Sequence, residues 1–373
     1  MSFFSSLKLL LALVLTARLA HGVAITCTST SATLEDLVTC LVGYTVPAGF
    51  YNPGGAGDYS VAQPGAGELD AWRTAVETAL NVDGDCPSPP INVPGLGGTY
   101  TIGLFTESVS GGKSFCVISE TNTYSGTTNV FARGWGFVIT TANDADHQRA
   151  LHFSAPHPVY DKTTPLQAAA LFKRVGAKSL IVAGRHRMAS SSSSTCATPS
   201  NPNDTYYKTD PSHDDDEPFH DALLVTREWQ IDQGGCPNSN CAYIQWHRKV
   251  SCPNYDVFLS SGPGNGASSH AWYHGATIRP VRRLKEALDV HMAPLPGTVH
   301  GLPSTANDCQ LTATKNIFGR VVNGRIPPTH CTTDATLASV TGEFIHVEQP
   351  DPVVLADHYD AWEAALVDAF PAL

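Results

Sequence analysis

The stretch 148-QRALHFSAPHPVYDKTTPLQAAALF-172 holds an apolar run, a polar turn and an alanine-rich segment, in that order. Residues 150–155 read as a strand. Thr163 or Thr164 supplies an N-cap and Pro165 a first-turn proline, so a helix is predicted from Pro165 to Val175. The segment 157-HPVYD-161 therefore occupies a strand-to-helix turn, at the carboxyl end of a strand expected to lie parallel to its neighbours. Open α/β sheets bind their ligands along that edge.

The same alternation continues outward from this unit. Strands are predicted at 134–141, 178–184, 242–247, 255–262 and 343–349, and helices at 217–230, 280–291 and 358–370. Strands that alternate with helices predict an α/β fold. We expect a three-layer sandwich with a mostly parallel or mixed central sheet, in one domain over 23–373. The region 23–130 reads as irregular, apart from a helix at 67–81 with Leu69, Trp72, Val76 and Leu80 on one face. The serine run Ser190–Ser194 and the acidic run Asp214–Asp216 bracket a polar excursion, either a long surface loop or a flap over a site.

Residues 1–22 read as a secretory signal peptide: Lys8 precedes the apolar run 9-LLLALVLTA-17, and 20-AHG-22 supplies small residues for cleavage. The remaining chain is expected to be exported, with no membrane association. The formal net charge is −11, which argues against nucleic acid as a partner. The sequence has ten cysteines, all beyond the leader. In an exported chain an even count predicts disulfide staples, and Cys236 and Cys241 are close enough to close a small loop. The sequon Asn203-Asp204-Thr205 makes Asn203 the expected glycosylation site.

Several predicted strands end in His, Asp, Glu or Arg while their interiors stay apolar. A mononuclear zinc centre of the hydrolytic type needs three protein ligands and an open position. His157 and Asp161 from one turn, with His247 from the end of another strand, meet that need. Glu348, at the end of a late strand, is the candidate general base. His152 sits in mid-strand, where a hydrogen-bonded core histidine is expected.

This pattern resembles the zinc carboxypeptidase-like hydrolases, and among them the poly-γ-glutamate hydrolase and N-acyl amino acid amidohydrolase branch. Over Ala150 to Glu348, the resemblance implies that His157 and His247 hold zinc and that Glu348 is the general base. Asp161 stands where that family has Glu, and its shorter arm changes the ligand geometry. The implied activity is cleavage of a peptide, γ-glutamyl or N-acyl amide bond, in small or peptide-like substrates that include those with a free carboxylate.

Arg187 and Arg320 are candidate grips for such a carboxylate, because guanidinium matches it in shape and charge; for each, a surface salt bridge is the competing account. Asp210 and His213, in 209-TDPSHDDDEPFH-220, are candidates either to replace Asp161 as a ligand or to orient a ligand histidine. His270 and His274 have helical spacing, but their glycine- and serine-rich surroundings predict a loop. The sequence lacks a Gly-x-Ser-x-Gly elbow, a His-Glu-x-x-His motif and a phosphate-binding loop. A non-catalytic extracellular binding protein on the same scaffold, and a glycosidase built on two carboxylates, remain alternatives.

Overall fold

The structure, a computed structural model, describes residues 23–125, 127, 129–237, 240–304 and 308–373. The predicted signal peptide lies outside the described residues. Ten strands form one mixed sheet: β1 (Ile91–Asn92), β2 (Tyr100–Thr106), β3 (Ser114–Glu120), β4 (Phe137–Thr141), β5 (Arg149–Ala155), β6 (Ala177–Val182), β7 (Cys241–Arg248), β8 (Tyr255–Ser260), β9 (Val299–Gly301) and β10 (Phe344–Gln349). Their order is β1-β2-β3-β4-β6-β5-β7-β10-β8-β9. The centre, β6-β5-β7-β10, is parallel, and antiparallel strands join it on both sides.

The α/β sandwich forms because the central strands present two different faces. Leu151, Phe153, Ile244, Trp246, Ile345 and Val347 point into an apolar layer with the helices Leu34–Val42, Thr164–Val175, Pro280–His291 and Tyr359–Ala369. Tyr243 and Phe344 point the other way, against the helices Glu68–Leu80, Pro218–Asp232 and Ile317–Val322. His152, Gln245, His247, His346 and Glu348 share the parity of that second face, so polar groups gather there. His152 is satisfied in the interior by Ser179 and Gln230, each at 2.9 Å.

From β5 the chain crosses one face, through the helix Thr164–Val175, to reach β6. It then crosses the opposite face, through Pro218–Asp232, to reach β7 on the other side of β5. Strand order reverses at β5, which leaves a crevice beyond its carboxyl end. Gly176 ends the first crossing helix at φ 62°, a left-handed conformation that glycine adopts without cost. Thr163 takes the N-cap position without a side-chain cap, and Pro165 follows in the first turn.

Two differences from the sequence reading stand out. The region 23–130 supplies β2 and β3, which extend the sheet as an antiparallel pair, and the helix Leu34–Val42. The histidines His270 and His274 lie on a helix, Ala267–His274, with rings stacked at 4.4 Å, rather than in a loop. Helical i,i+4 spacing outweighs the glycines, which stand at its two caps. All ten cysteines pair: Cys27–Cys40, Cys86–Cys116, Cys196–Cys331, Cys236–Cys241 and Cys252–Cys309. Among the described residues no helix is long and apolar enough to cross a membrane.

Phe153 is fully buried and meets Trp246 edge-on, with ring centroids 5.4 Å apart. Phe153→Ala is expected to cost ~3–5 kcal/mol in urea denaturation, because the layer beneath β5 cannot collapse onto the cavity. A loss below about 1 kcal/mol would show that this layer is loosely packed.

Candidate metal centre

The turn after β5 folds back on itself. Val159 and Lys162 take positive φ, 68° and 53°, and Asp161 N–H donates to the His157 carbonyl at 2.9 Å. A β-branched residue in the left-handed region is strained, a cost that the site geometry imposes. The result sets Asp161 beside His157, with Nδ1 of the histidine 3.1 Å from Oδ2 of the aspartate. His247, at the end of β7, brings its Nδ1 to 3.1 Å from the same carboxylate oxygen and 3.2 Å from His157 Nδ1. All three side chains are buried.

The partners of the other ring nitrogens decide what this triangle is. His157 Nε2 lies 2.9 Å from Asp210 Oδ1. Burial opposes ionisation of Asp210, yet Arg187, His213 and His157 hold it well below the usual carboxylate range, so it accepts the His157 Nε2 proton. For His247 the tautomer traces back to the main chain. Gly319 N–H donates to Asn316 Oδ1 at 2.8 Å, which turns Asn316 Nδ2 toward Gln245 Oε1 at 2.5 Å. The same Oε1 then accepts from His247 Nε2 at 2.9 Å. Both Nδ1 atoms are thereby left as acceptors, and a carboxylate oxygen completes a set of three lone pairs aimed at one point.

Such a set repels itself unless a cation sits within it. Tetrahedral zinc with bonds of ~2.0–2.1 Å separates its ligands by roughly 3.3 Å, close to the three edges found here. Donation of the second ring nitrogen to a carboxylate or carbonyl is the usual support for a ligand histidine, and both histidines have it. Without a cation the cluster draws in a proton: burial opposes it, but Asp210 and Asp161 raise the His157 pKa above its ordinary value. Burial likewise opposes Asp161, and His157 and His247 hold its carboxyl below the usual range. Burial pushes His247 down to about 4. The residues present fit a zinc ion.

Glu348 lies opposite His247 in the register of β10 on β7, on the same face. Burial, with the charge of Asp161 adding to it, pushes its carboxyl up to about 8. Its Oε2 has no hydrogen-bond partner among the described residues, and its Oε1 is 3.6 Å from His346 Nε2. His346 also lies against His247, with ring centroids 4.4 Å apart, and burial holds it neutral. His157, Asp161, Arg187, His213, His247 and Glu348 all line one cleft of about 1010 Å³.

The remaining predicted residues divide. Arg187 is in the cleft, ion-paired with Asp210 and 5.1 Å from the Tyr160 ring. Asp210 meets His157 on the nitrogen that points away from the triangle, which suits orientation and not replacement of Asp161. His213 Nδ1 is 3.0 Å from Asp210 and its ring stacks on Tyr206 at 3.6 Å. Arg320 lies outside the cleft lining. Its guanidinium donates to the carbonyls of Thr314, His330 and Cys331 and pairs with Asp334, so it holds a loop. Asn203 is exposed.

Gln245, Asn316 and His346 were not anticipated from sequence. The period-two pattern of 243-YIQWH-247 and 344-FIHVE-348 carries the signal for Gln245 and His346, since each stands two residues before a site residue. Nothing in the sequence marks Asn316.

No protein-family model and no curated relative matches the sequence. Among solved structures, the chain is similar to a "putative metallopeptidase" from Shewanella amazonensis, at 11% identity and TM-score 0.31, over 63% of this chain and 80% of that one. It is similar to a "putative carboxypeptidase A" from Shewanella denitrificans, at 13% identity and TM-score 0.32, over 72% of this chain and 76% of that one. Likeness at this level leaves the chemistry to be read from the residues themselves.

Asp210→Ala is expected to weaken zinc binding ~10–100-fold in competition with a chromophoric chelator, as loss of a ligand's support does. An unchanged affinity would mean that Asp210 does not orient His157. Arg320→Ala should instead lower stability by ~1–3 kcal/mol, through stranded carbonyls, and leave that affinity alone. An affinity lost with stability intact would place Arg320 at the centre after all.

Proposed function

We propose that this chain is an exported, zinc-dependent hydrolase of amide bonds, of the carboxypeptidase-like kind. The observation that supports it is the triangle of His157 Nδ1, Asp161 Oδ2 and His247 Nδ1, with edges of 3.1, 3.2 and 3.1 Å, while the outer nitrogen of each ring faces an acceptor of its own. Five disulfides fit an oxidising compartment, as the leader does.

Zinc, when bound, supplies Lewis acidity that acidifies water and polarises a carbonyl. The side chains do the rest. Glu348 Oε2, which has no hydrogen-bond partner among the described residues, accepts a proton from water in the cleft and returns it to the departing amide nitrogen. Burial favours the protonated form of this carboxyl, which holds the proton between the two transfers. Asp210 and Gln245 keep both ligand imidazoles in the tautomer that leaves Nδ1 free. Arg187, fixed by Asp210 and flanking Tyr160, presents guanidinium N–H groups to a substrate carboxylate. The polar cleft wall suits N-acyl amino acids and γ-glutamyl or peptide chains.

Purified protein is expected to hold one zinc per chain by elemental analysis, and His157→Ala and His247→Ala to lose it. Retention by both variants would refute the ligand set. Glu348→Gln should keep its zinc and lose turnover of the responsive amide by ~10²–10⁴-fold. Unchanged turnover would remove Glu348 from the reaction. Stoichiometric zinc with no turnover of N-acyl amino acids, γ-glutamyl peptides or peptide C-termini would make the chain a binding protein.

A further inference from the structure

The polar excursion between β6 and the helix Pro218–Asp232 forms one wall of the cleft. Ser200, Asn201, Asp204 and Tyr206 line the opening directly. Asn203 stands between two of these residues. It is exposed, and its side chain makes no hydrogen bond to any described residue. The turn that presents it is well defined: Asp204 N–H donates to the Asn201 carbonyl and Asn203 N–H to Asn201 Oδ1, both at 3.1 Å. An asparagine in such a turn, followed by Asp204 and Thr205, is an acceptor of N-linked sugar.

The wall itself is anchored. The Cys196–Cys331 disulfide ties its start to the turn at 329–332, Tyr206 stacks on His213, and Asp210 is locked between His157 and Arg187. Asn203 is thus carried between anchors at Cys196 and Tyr206, beside Asn201 and Asp204 of the cleft lining.

We propose that Asn203 carries an N-linked glycan, and that this glycan narrows the mouth of the cleft so that short substrates pass and long polymers are slowed. In the modification, Asn203 Nδ2 forms a bond to C1 of a lipid-diphosphate-linked oligosaccharide. The bond from C1 to the lipid diphosphate breaks, and the amide loses one proton. The sugar assignment stands independently, while the consequence for substrate length rests on the amide hydrolase reading above.

The test uses the full chain, secreted by a eukaryotic host with residues 1–22 intact. Intact mass should exceed the polypeptide mass by a carbohydrate increment that Asn203→Gln abolishes. Peptide-N-glycosidase treatment of the folded protein should abolish it too, which covers the case of a poorly secreted variant. Absence of the increment would overturn the modification. Access is then read without reference to zinc or turnover, at Lys315, one of the residues that line the same cleft, with its ammonium paired to Asp334. It is labelled with a small succinimidyl ester and with the same ester carried on dextran, and Lys285 on the helix Pro280–His291 serves as an internal control. Removing the glycan should speed dextran-ester labelling of Lys315 several-fold relative to Lys285 and leave the small ester's rate unchanged. Equal dextran rates with and without the glycan would overturn its placement at the mouth. A failed zinc analysis would instead sink only the hydrolase reading.

Discussion

The tautomer of His247 is fixed by a main-chain N–H about seventy residues away in sequence, and the rest of the centre depends on that constraint. A backbone amide cannot change its role from donor to acceptor. Gly319 therefore dictates the orientation of Asn316, Asn316 that of Gln245, and Gln245 the position of the His247 proton. On the other side, Arg187 and His213 keep Asp210 ionised, which fixes the proton of His157. Two unrelated supports thus expose two lone pairs to the same point. Either histidine alone could be an ordinary buried residue; the convergence makes them a centre.

This arrangement needs a rigid platform, and the sheet supplies it through alternation. One face of β5, β7 and β10 is apolar and packs beneath four helices. The opposite face becomes increasingly polar toward the carboxyl ends: Tyr243, Gln245, His247 on β7 and Phe344, His346, Glu348 on β10. Burial on that face has different consequences by residue type. It lowers the histidines, which keeps them unprotonated, and raises Glu348, which lets it hold a proton. A single buried face thus pushes imidazole and carboxyl in opposite directions.

The central α/β unit could be read from sequence because its signals are local. The segment 150–155, the first-turn Pro165 and the apolar spacing of the following helix fix a strand, a turn and a helix without reference to anything distant. His157 and Asp161 could be picked out in the turn after β5, and His247 and Glu348 near the carboxyl ends of β7 and β10, because each stands at the end of such a strand or in the turn beyond it. The antiparallel strands β2 and β3 were hidden among glycines and threonines, where pairing partners rather than propensity decide the outcome. Arg320 misled for a related reason: guanidinium serves a substrate carboxylate and a cluster of backbone carbonyls equally well, and only the fold shows which is nearby. Asn316 had no signal at all, because its role depends on a contact with Gln245 across 71 residues.

The turn that carries Asp161 sets where its carboxylate stands. An aspartate arm is short, so the backbone itself must come close for one oxygen to reach both histidines. Here Val159 and Lys162 both adopt positive φ, and the chain closes back so that Asp161 N–H reaches the His157 carbonyl. That closure leaves Asp161 Oδ2 3.1 Å from both His157 Nδ1 and His247 Nδ1. Val159 is β-branched and exposed, so the closure of the turn, and not packing of its own side chain, holds it in the left-handed region at a cost in strain. The short carboxylate arm and the strained turn therefore occur together, and together they bring Asp161 beside both histidines.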